Sequence, residues 1–289
     1  MATARRLRRM LERRGHSVEL RAFADLSALT EWADTCPAGA SYIIGLGGDT
    51  TMSVAARAAI RGQTPFIPVP NGFGNVFAQV FGYSSQAHDA LRLITEGELR
   101  MVDVGELKRG TIGDLFLSHR SYGFLAQIQQ VAERGRKQPR RRVLRIFWYL
   151  GVAWRFLVRT RMAAFQVEVD GQPVADEAVL VTVANVETYR GFLTLTPTAS
   201  PVDGLLDVFV VPRVSKAGLM LRLVRLKFRL PGRWRGVAVH RGRTVTVTAP
   251  WGRDTLTARR RVLPLLVPPG AIEALRRRTI ESDAPINSP

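Results

Sequence analysis

A chain of 289 residues, 46% of them hydrophobic, can bury a sizeable core, so wholesale disorder is excluded and about two domains are expected. The single cysteine, Cys36, rules out a disulfide framework or a cysteine-built zinc site, and the four histidines (His16, His88, His119, His240) show no metal-ligating spacing. The net charge of +18, nearly all of it arginine, calls for something anionic: nucleic acid, an anionic membrane surface or phosphorylated ligands.

The opening MATARRLRRMLERRGH is basic, but neither an apolar h-region nor a small-residue cleavage site follows it, and it reads as an amphipathic helix. SVEL reads as a short strand, LSALTEWAD as a helix and SYIIGL as a buried strand. That strand stops at Gly47-Gly48-Asp49, and Thr50, Thr51 and the helical SVAARAAIRG follow. Two physical readings fit this junction. Glycines let backbone N–H groups approach a phosphate, and the first turn of a helix adds unpaired donors and a positive dipole end. Alternatively, the junction is a tight turn with a threonine N-cap. PFIPVP is predicted to be a further strand, NGFGN is a second glycine-rich loop, and helical stretches run through SQAHDALRLITEG. This alternation predicts a parallel, doubly wound α/β sheet. Two glycine-rich loops leaving strand ends place one ligand crevice there, which favours the phosphate reading.

After about residue 105 the pattern changes. AFQVEVDGQPV alternates with period two and turns at Asp170-Gly171, a hairpin signal, and AVLVTVANV, LLDVFVV and RTVTVTA are short apolar or Val/Thr-alternating runs. The chain therefore divides into an α/β nucleotide-binding domain, 1–105, and a β-rich, sandwich-like domain, 106–289. Helical insertions are expected at 134–161 and 215–230, and PPGAIEALRRRTI is expected to form a last helix packing back on the first domain. From Arg134 to Arg161 there are ten basic residues and no acidic one, around Trp148, Tyr149 and Trp154. This stretch suits a helix lying among lipid headgroups, or else a solvated arginine-rich face. No segment has about 18 uninterrupted apolar residues, so no spanning helix is expected.

GLGGDTT, IPVPNGFGNVFA, MVDVGEL, FLSHRSYGFLAQI and VANVETYRGFLTLTPTASPVDGLLDVFVV, in that order and spacing, resemble the diacylglycerol kinase-like lipid kinases, which include bacterial diacylglycerol kinases and sphingosine kinases. The resemblance implies a nucleotide held between an α/β domain and a β-rich domain. Gly47, Gly48, Asp49 and Thr51 match the family's GGDGT loop, with Thr50 inside it, and Gly72, Gly74 and Asn75 match its GTGN-type loop. Asp203 and Gly204 fall on its DG pair, near which Mg²⁺ is expected. It further implies an ATP- and Mg²⁺-dependent kinase of lipid metabolism acting on diacylglycerol or a related lipid alcohol. Such an enzyme would be cytoplasmic and peripheral at the inner face of an anionic membrane, with no nucleic-acid partner.

The sequence departs from the family at four places. The family begins with a strand and an asparagine-proline turn, whereas this chain starts in the helix, as a truncated or misassigned start would. Thr50 replaces a glycine; at φ > 0 a β-branched residue would cost roughly 1–3 kcal/mol, so the loop is expected to be redrawn at φ < 0. Phe73 replaces a threonine, and Ala258, Arg259 and Arg260 stand where an acidic DGE element supplies the family's base, with Asp254 nearby in sequence. Asp49 is then the remaining candidate base. Two functional readings stay open: an active lipid kinase, or a catalytically impaired relative that binds nucleotide or anionic membrane lipid. A nucleic-acid-binding role rests on charge alone. Oligomeric state is not legible.

Overall fold

The computed structural model describes residues 2–36, 39–72, 74–123, 125–126, 151, 162–187, 195–227 and 237–282. Strands β1 (Ile43–Gly47) and β2 (Phe66–Pro70) run parallel, with Ile43 opposite Phe66 and Gly47 opposite Pro70. Every residue of β2 is buried, which is why PFIPVP carries no polar alternation. Between them, α3 (Asp49–Gly62) buries Met52, Ala55, Ala56 and Ala59 at helical spacing. It stops where Gln63 adopts a left-handed φ of 48° and returns its N–H to the Ala59 and Ile60 carbonyls. Four further helices belong to this half: α1 (Ala2–Glu12), α2 (Leu26–Thr35), α4 (Val76–Phe81) and α5 (Ala87–Glu96). The Asp25 carboxylate caps α2 by accepting the Ala28 N–H at 2.9 Å.

The β-rich half is built from β3 (Glu98–Arg109), β4 (Ile112–Phe116), β5 (His119–Gly123), β6 (Phe165–Val169), β7 (Gln172–Ala184), β8 (Leu206–Pro212), β9 (Ala238–Gly242), β10 (Thr244–Ala249) and β11 (Gly252–Val267). The Asp170-Gly171 hairpin forms as read, with φ of 49° and 79°. The Asp170 carboxylate also accepts the N–H groups of Arg243 and Thr244 at 3.0 and 2.8 Å. Strand β8 explains its own apolar run. Leu206, Val208 and Val210 face an interior shared with Phe116, Phe165, Val245 and Leu256, while Phe209 and Val211 face Leu219 of α6 (Lys216–Lys227). Both faces are covered, so the run needs no polar residues.

The strands join into one open 11-stranded network, and β11 is its spine. Its first half pairs antiparallel with β10 and the outer half of β3. Its second half returns to the first unit, pairing with β3 from Leu263 to Val267 and lying parallel beside β2, with Leu265 opposite Phe66. Helix α7 (Ala271–Ser282) then places Ile272 and Leu275 in the same core as Met52, Phe77 and Leu91.

The architecture is the predicted mixed α/β unit followed by a β-rich, sandwich-like one. Two local expectations are corrected. SVEL is irregular and largely exposed, because no strand among the described residues lies beside it to complete a ladder. The third parallel strand of the first sheet comes instead from β11, near the other end of the sequence. The basic-aromatic stretch 134–161 lies outside the described residues apart from Gly151. No helix among the described residues is long and apolar enough to cross a membrane.

Asp103, only 1% exposed, ties these pieces together. Its carboxylate accepts the Gly204 N–H at 2.6 Å and the Arg261 N–H at 2.7 Å. Its own N–H donates to Pro201 O at 2.7 Å, and its carbonyl accepts from the Asn185 side chain at 3.0 Å. The Arg261 contact holds the bulge between Arg259 and Leu263, where Arg261 takes a φ of 48° and β11 passes from one unit to the other. An amide at position 103 would turn its NH₂ group toward one of these buried N–H donors. Asp103→Asn is therefore expected to cost about 2–4 kcal/mol in urea unfolding. Glu106→Gln on the same strand, where the carboxylate is partly solvated, should cost less than about 1 kcal/mol. Equal losses would show that the Asp103 contacts hold nothing special.

Candidate nucleotide-binding site

Because β1 and β2 are parallel neighbours, the loops that follow them leave the same end of the sheet side by side. The Asn71 N–H donates to Gly47 O at 2.9 Å. A Cβ on Gly72 would lie 2.5 Å from the Cα of Gly48, so the two backbones touch and only glycine fits at 72. A Cβ on Gly47 would lie 2.6 Å from the Thr51 side chain. Gly48 itself is extended (φ −88°, ψ 179°) and caps α3, which begins at Asp49. Asp49, Thr50 and Thr51 thus form the first turn of a 14-residue helix, whose leading N–H groups have no partner within the helix and sit at its positive dipole end. Thr50 is helical and does not belong to the residues with positive φ, so the loss of the family's glycine carries no backbone strain.

The second loop is braced from within and from the first. Asn75, at a left-handed φ of 46°, accepts the Gly72 N–H through Oδ1 at 3.1 Å and donates through Nδ2 to Gly72 O at 2.7 Å. Gly74 has φ 85°, and its carbonyl accepts from the Gln79 side chain. Asp49 reaches across: Oδ2 accepts the Val76 N–H at 2.9 Å and Oδ1 the Phe77 N–H at 3.1 Å. The acid thereby caps α4, a carboxylate at a helix N-terminus. Gly47, Gly48, Asp49, Thr50, Thr51, Gly72, Gly74 and Asn75 are all brought into this one place; Phe73 lies outside the described residues.

A buried hydrogen-bond chain leads from this place to the second unit. Ser53 Oγ donates to Asp49 O at 2.8 Å and accepts the Leu117 N–H at 3.2 Å. Leu117 O accepts from Asn185 Nδ2 at 3.0 Å; Nδ2 also donates to Asp103 O, and the Asp103 carboxylate accepts the Gly204 N–H. Sequence reasoning quoted MVDVGEL and VANVE without giving Asp103 or Asn185 a role. The available signal was an acid inside an otherwise buried strand and an amide closing an apolar run.

Asp203 follows a different course from the one expected. Its carboxylate accepts the Leu205 N–H at 2.9 Å and is ion-paired with Arg241 at 2.5 Å. Arg241 also bonds Asp207 at 3.1 Å, and the Thr198 hydroxyl donates to the other Asp207 oxygen. Burial pushes the Asp203 carboxyl up against the pull of the Leu205 N–H and Arg241, and the Asp207 carboxyl up to about 6 against that of Thr198 and Arg241. Two acids already sharing a guanidinium are a poor donor set for a divalent cation. No group of three or more acidic, histidine or cysteine residues able to hold a metal occurs among the described residues. The residues present do not fit the Mg²⁺ expected at Asp203.

Where the family carries its acid, this chain carries cations. Arg259 lies 3.6 Å from Glu106, and a Cβ on Gly204 would run into the Arg260 side chain. Asp254 is near in sequence only. It takes a bidentate bond from Arg109 at 2.7 and 2.6 Å and one from the Tyr122 hydroxyl at 2.9 Å, inside the β-rich unit. Burial alone would raise the Asp254 carboxyl, but those bonds outweigh it and hold the group below the usual carboxylate range.

Residues 2–107 match the family model for the diacylglycerol kinase catalytic domain, and residues 120–259 match that for the YegS C-terminal NAD kinase beta sandwich-like domain. An uncharacterized protein of Synechocystis sp. is 28% identical over 173 residues, 60% of this chain, which spans only 38% of the length of that relative. A solved diacylglycerol kinase from Bacillus anthracis str. Sterne superposes with a TM-score of 0.63 at 20% identity, covering 86% of this chain and 85% of that one, a likeness of fold alone. With one family model on each unit and two glycine loops meeting between strand ends, this chain belongs to the diacylglycerol kinase-like lipid kinase family.

Proposed function

We propose that the chain is an ATP-dependent lipid kinase acting on the hydroxyl of diacylglycerol or a related lipid alcohol. The observation that carries this reading is the backbone contact of Gly48 with Gly72, which sets two glycine loops beside the start of α3, where an anion would meet helix N–H donors. In this reading the phosphates of ATP lie over 47–51 and beside 72–75. The lipid oxygen attacks the γ-phosphorus, the bond to the β–γ bridging oxygen breaks, ADP leaves, and the hydroxyl proton passes to a carboxylate or to water. The protein's part is to position the phosphates and offer N–H donors to their charge. Because Asp203 and Asp207 are held by Arg241, any Mg²⁺ belongs with the phosphates and not with those acids. The basic stretch 134–161 is proposed to seat the enzyme on an anionic membrane, where its substrate lies.

A second reading, an impaired relative that keeps nucleotide or lipid binding, is favoured by Arg259 and Arg260 at the place of the family's acid. Purified protein given γ-labelled ATP, Mg²⁺ and vesicles carrying a panel of lipid alcohols separates the two. Label moving into lipid supports the kinase; ATP binding without transfer supports the relative. Gly48→Val is the internal control. Its extended backbone accepts any residue, and a Cβ there meets only Gly72 Cα at 3.6 Å, so the fold should hold while ATP binding is lost. Undiminished binding would place the cradle elsewhere.

Asp49→Asn distinguishes scaffold from base. An amide can accept only one of the Val76 and Phe77 N–H bonds, so a scaffold role predicts a loss of about 1–3 kcal/mol of stability and weaker ATP binding. A proton acceptor would instead show a fall of roughly 10²–10⁴ in kcat at unchanged ATP affinity. Thr50→Gly tests the redrawn loop. It should cost roughly 0.4–1 kcal/mol, from the added freedom of glycine in the unfolded chain, with no gain in ATP affinity. Tighter ATP binding at unchanged stability would show that the threonine obstructs the site.

A further inference from the structure

We propose that Arg241 is this fold's own cation: its guanidinium takes the place of a divalent ion at the Asp203–Asp207 pair, so the folded chain needs no bound metal there. The Mg²⁺ that the family implies at Asp203 does not fit, and the geometry gives the reason. Arg241 stands directly opposite Asp207 in the antiparallel register of β8 and β9. From there Nη2 reaches Asp203 Oδ2 at 2.5 Å and Nε reaches Asp207 Oδ1 at 3.1 Å. One planar group thus answers two carboxylates, one in the turn before β8 and one on β8 itself.

The surroundings make this a place that requires a cation. The Asp207 side chain is 1% exposed, and those of Asp203 and Arg241 only 25% and 33%. The second Asp207 oxygen accepts the Thr198 hydroxyl, and Asp203 Oδ1 accepts the Leu205 N–H at 2.9 Å, which closes the turn on Gly204. Gly204 sits at a left-handed φ of 78°, and its N–H is the one that the Asp103 carboxylate accepts at 2.6 Å. Two carboxylates drawn together away from water repel each other unless a positive charge lies between them.

A Mg²⁺ ion could supply that charge through one or two carboxylates while keeping several waters. A guanidinium supplies it on a tether, with directional N–H donors, and no chelator removes it. Arg241 therefore ties the turn before β8 to β9 and steadies the Gly204 turn that Asp103 grips.

Because this role belongs to the fold and not to phosphoryl transfer, unfolding without nucleotide tests it. Urea unfolding of the full chain is followed in EDTA, in Mg²⁺ and in Ca²⁺. The parent should give one midpoint in all three. Arg241→Met keeps an apolar stem and removes the charge, and it should unfold at lower urea in EDTA. Mg²⁺ or Ca²⁺ should then raise its midpoint by mass action on the opened site, with a dissociation constant of about 10⁻⁴–10⁻³ M, as for weak oxygen sites. Adding Asp203→Asn to Arg241→Met should abolish that response. Arg260→Met is the charge control, because Arg260 also lies against this turn: a Cβ on Gly204 would come 2.3 Å from its Nε. It should respond to neither ion.

A parent whose midpoint differs between EDTA and either ion would overturn the proposal. So would Arg241→Met if it matched the parent in EDTA, or if neither ion restored it, including a failure to fold in all three conditions. The guanidinium would then be an ordinary ion pair. A response that survives Asp203→Asn, or an equal one in Arg260→Met, would overturn it as well, since the ion would then be acting elsewhere.

Discussion

Much of this structure depends on one buried carboxylate. Among the described residues no cation pairs with Asp103; its carboxylate accepts two backbone N–H groups, one from the turn before β8 and one from the bulge in β11. Charge-assisted bonds of this kind are short, directional and costly to leave unmade in a low-dielectric interior. The neighbouring bonds to Pro201 and Asn185 fix the strand on which the carboxylate sits. Asn185 then reaches Leu117, and Leu117 reaches Ser53 in the second turn of α3. The helix that begins the candidate nucleotide site and the turn that begins β8 are thus held by one continuous set of polar contacts. A displacement at either end has to be absorbed by the other or break a buried bond.

The two helix N-termini at the site divide the electrostatic work. The leading N–H groups of α4 are taken by Asp49, a residue of the protein itself. Those at the start of α3 have no partner inside their helix and lie beside the Gly48–Gly72 contact. An anion arriving there meets donors from the longer helix, while the shorter one serves as scaffold. This arrangement also accounts for the tolerance of Thr50. Its place in the first turn asks only for φ < 0, which a β-branched residue meets at little cost.

The coarse organisation was legible because its signals are local. Glycine pairs after apolar runs, an Asp-Gly hairpin and the change from helical to two-residue periodicity need only a few adjacent residues to be read. What escaped was everything set by long-range pairing. SVEL has the composition of a strand but lacks a neighbour, and Leu263 to Val267 became part of the first sheet through partners some 165 residues away in sequence. Asp203 looked like a cation ligand because nothing in its neighbourhood along the chain announces Arg241, which comes from another strand. Asp254 was close in number to the missing acid and is instead the centre of a cluster with Arg109 and Tyr122. Asp103 and Asn185 sat inside quoted motifs, yet their roles depend on which backbones stop beside them.

The path of β11 has a consequence for how the molecule comes into being. The strand that completes the first sheet is the last of the described strands along the sequence, and α7, which helps seal that core, follows it. A ribosome that has released the first hundred residues has therefore produced β1, β2 and their helices without the strand that lies beside β2. Apolar surface on that intermediate stays uncovered while the whole β-rich unit is synthesised, several seconds or more at about 5–20 residues per second. The two units are thus neither separable by cutting the gene between them nor able to mature in order of synthesis. Closure waits until Leu263 to Val267 have been made, and the interval before it is when the protein most needs protection from its neighbours.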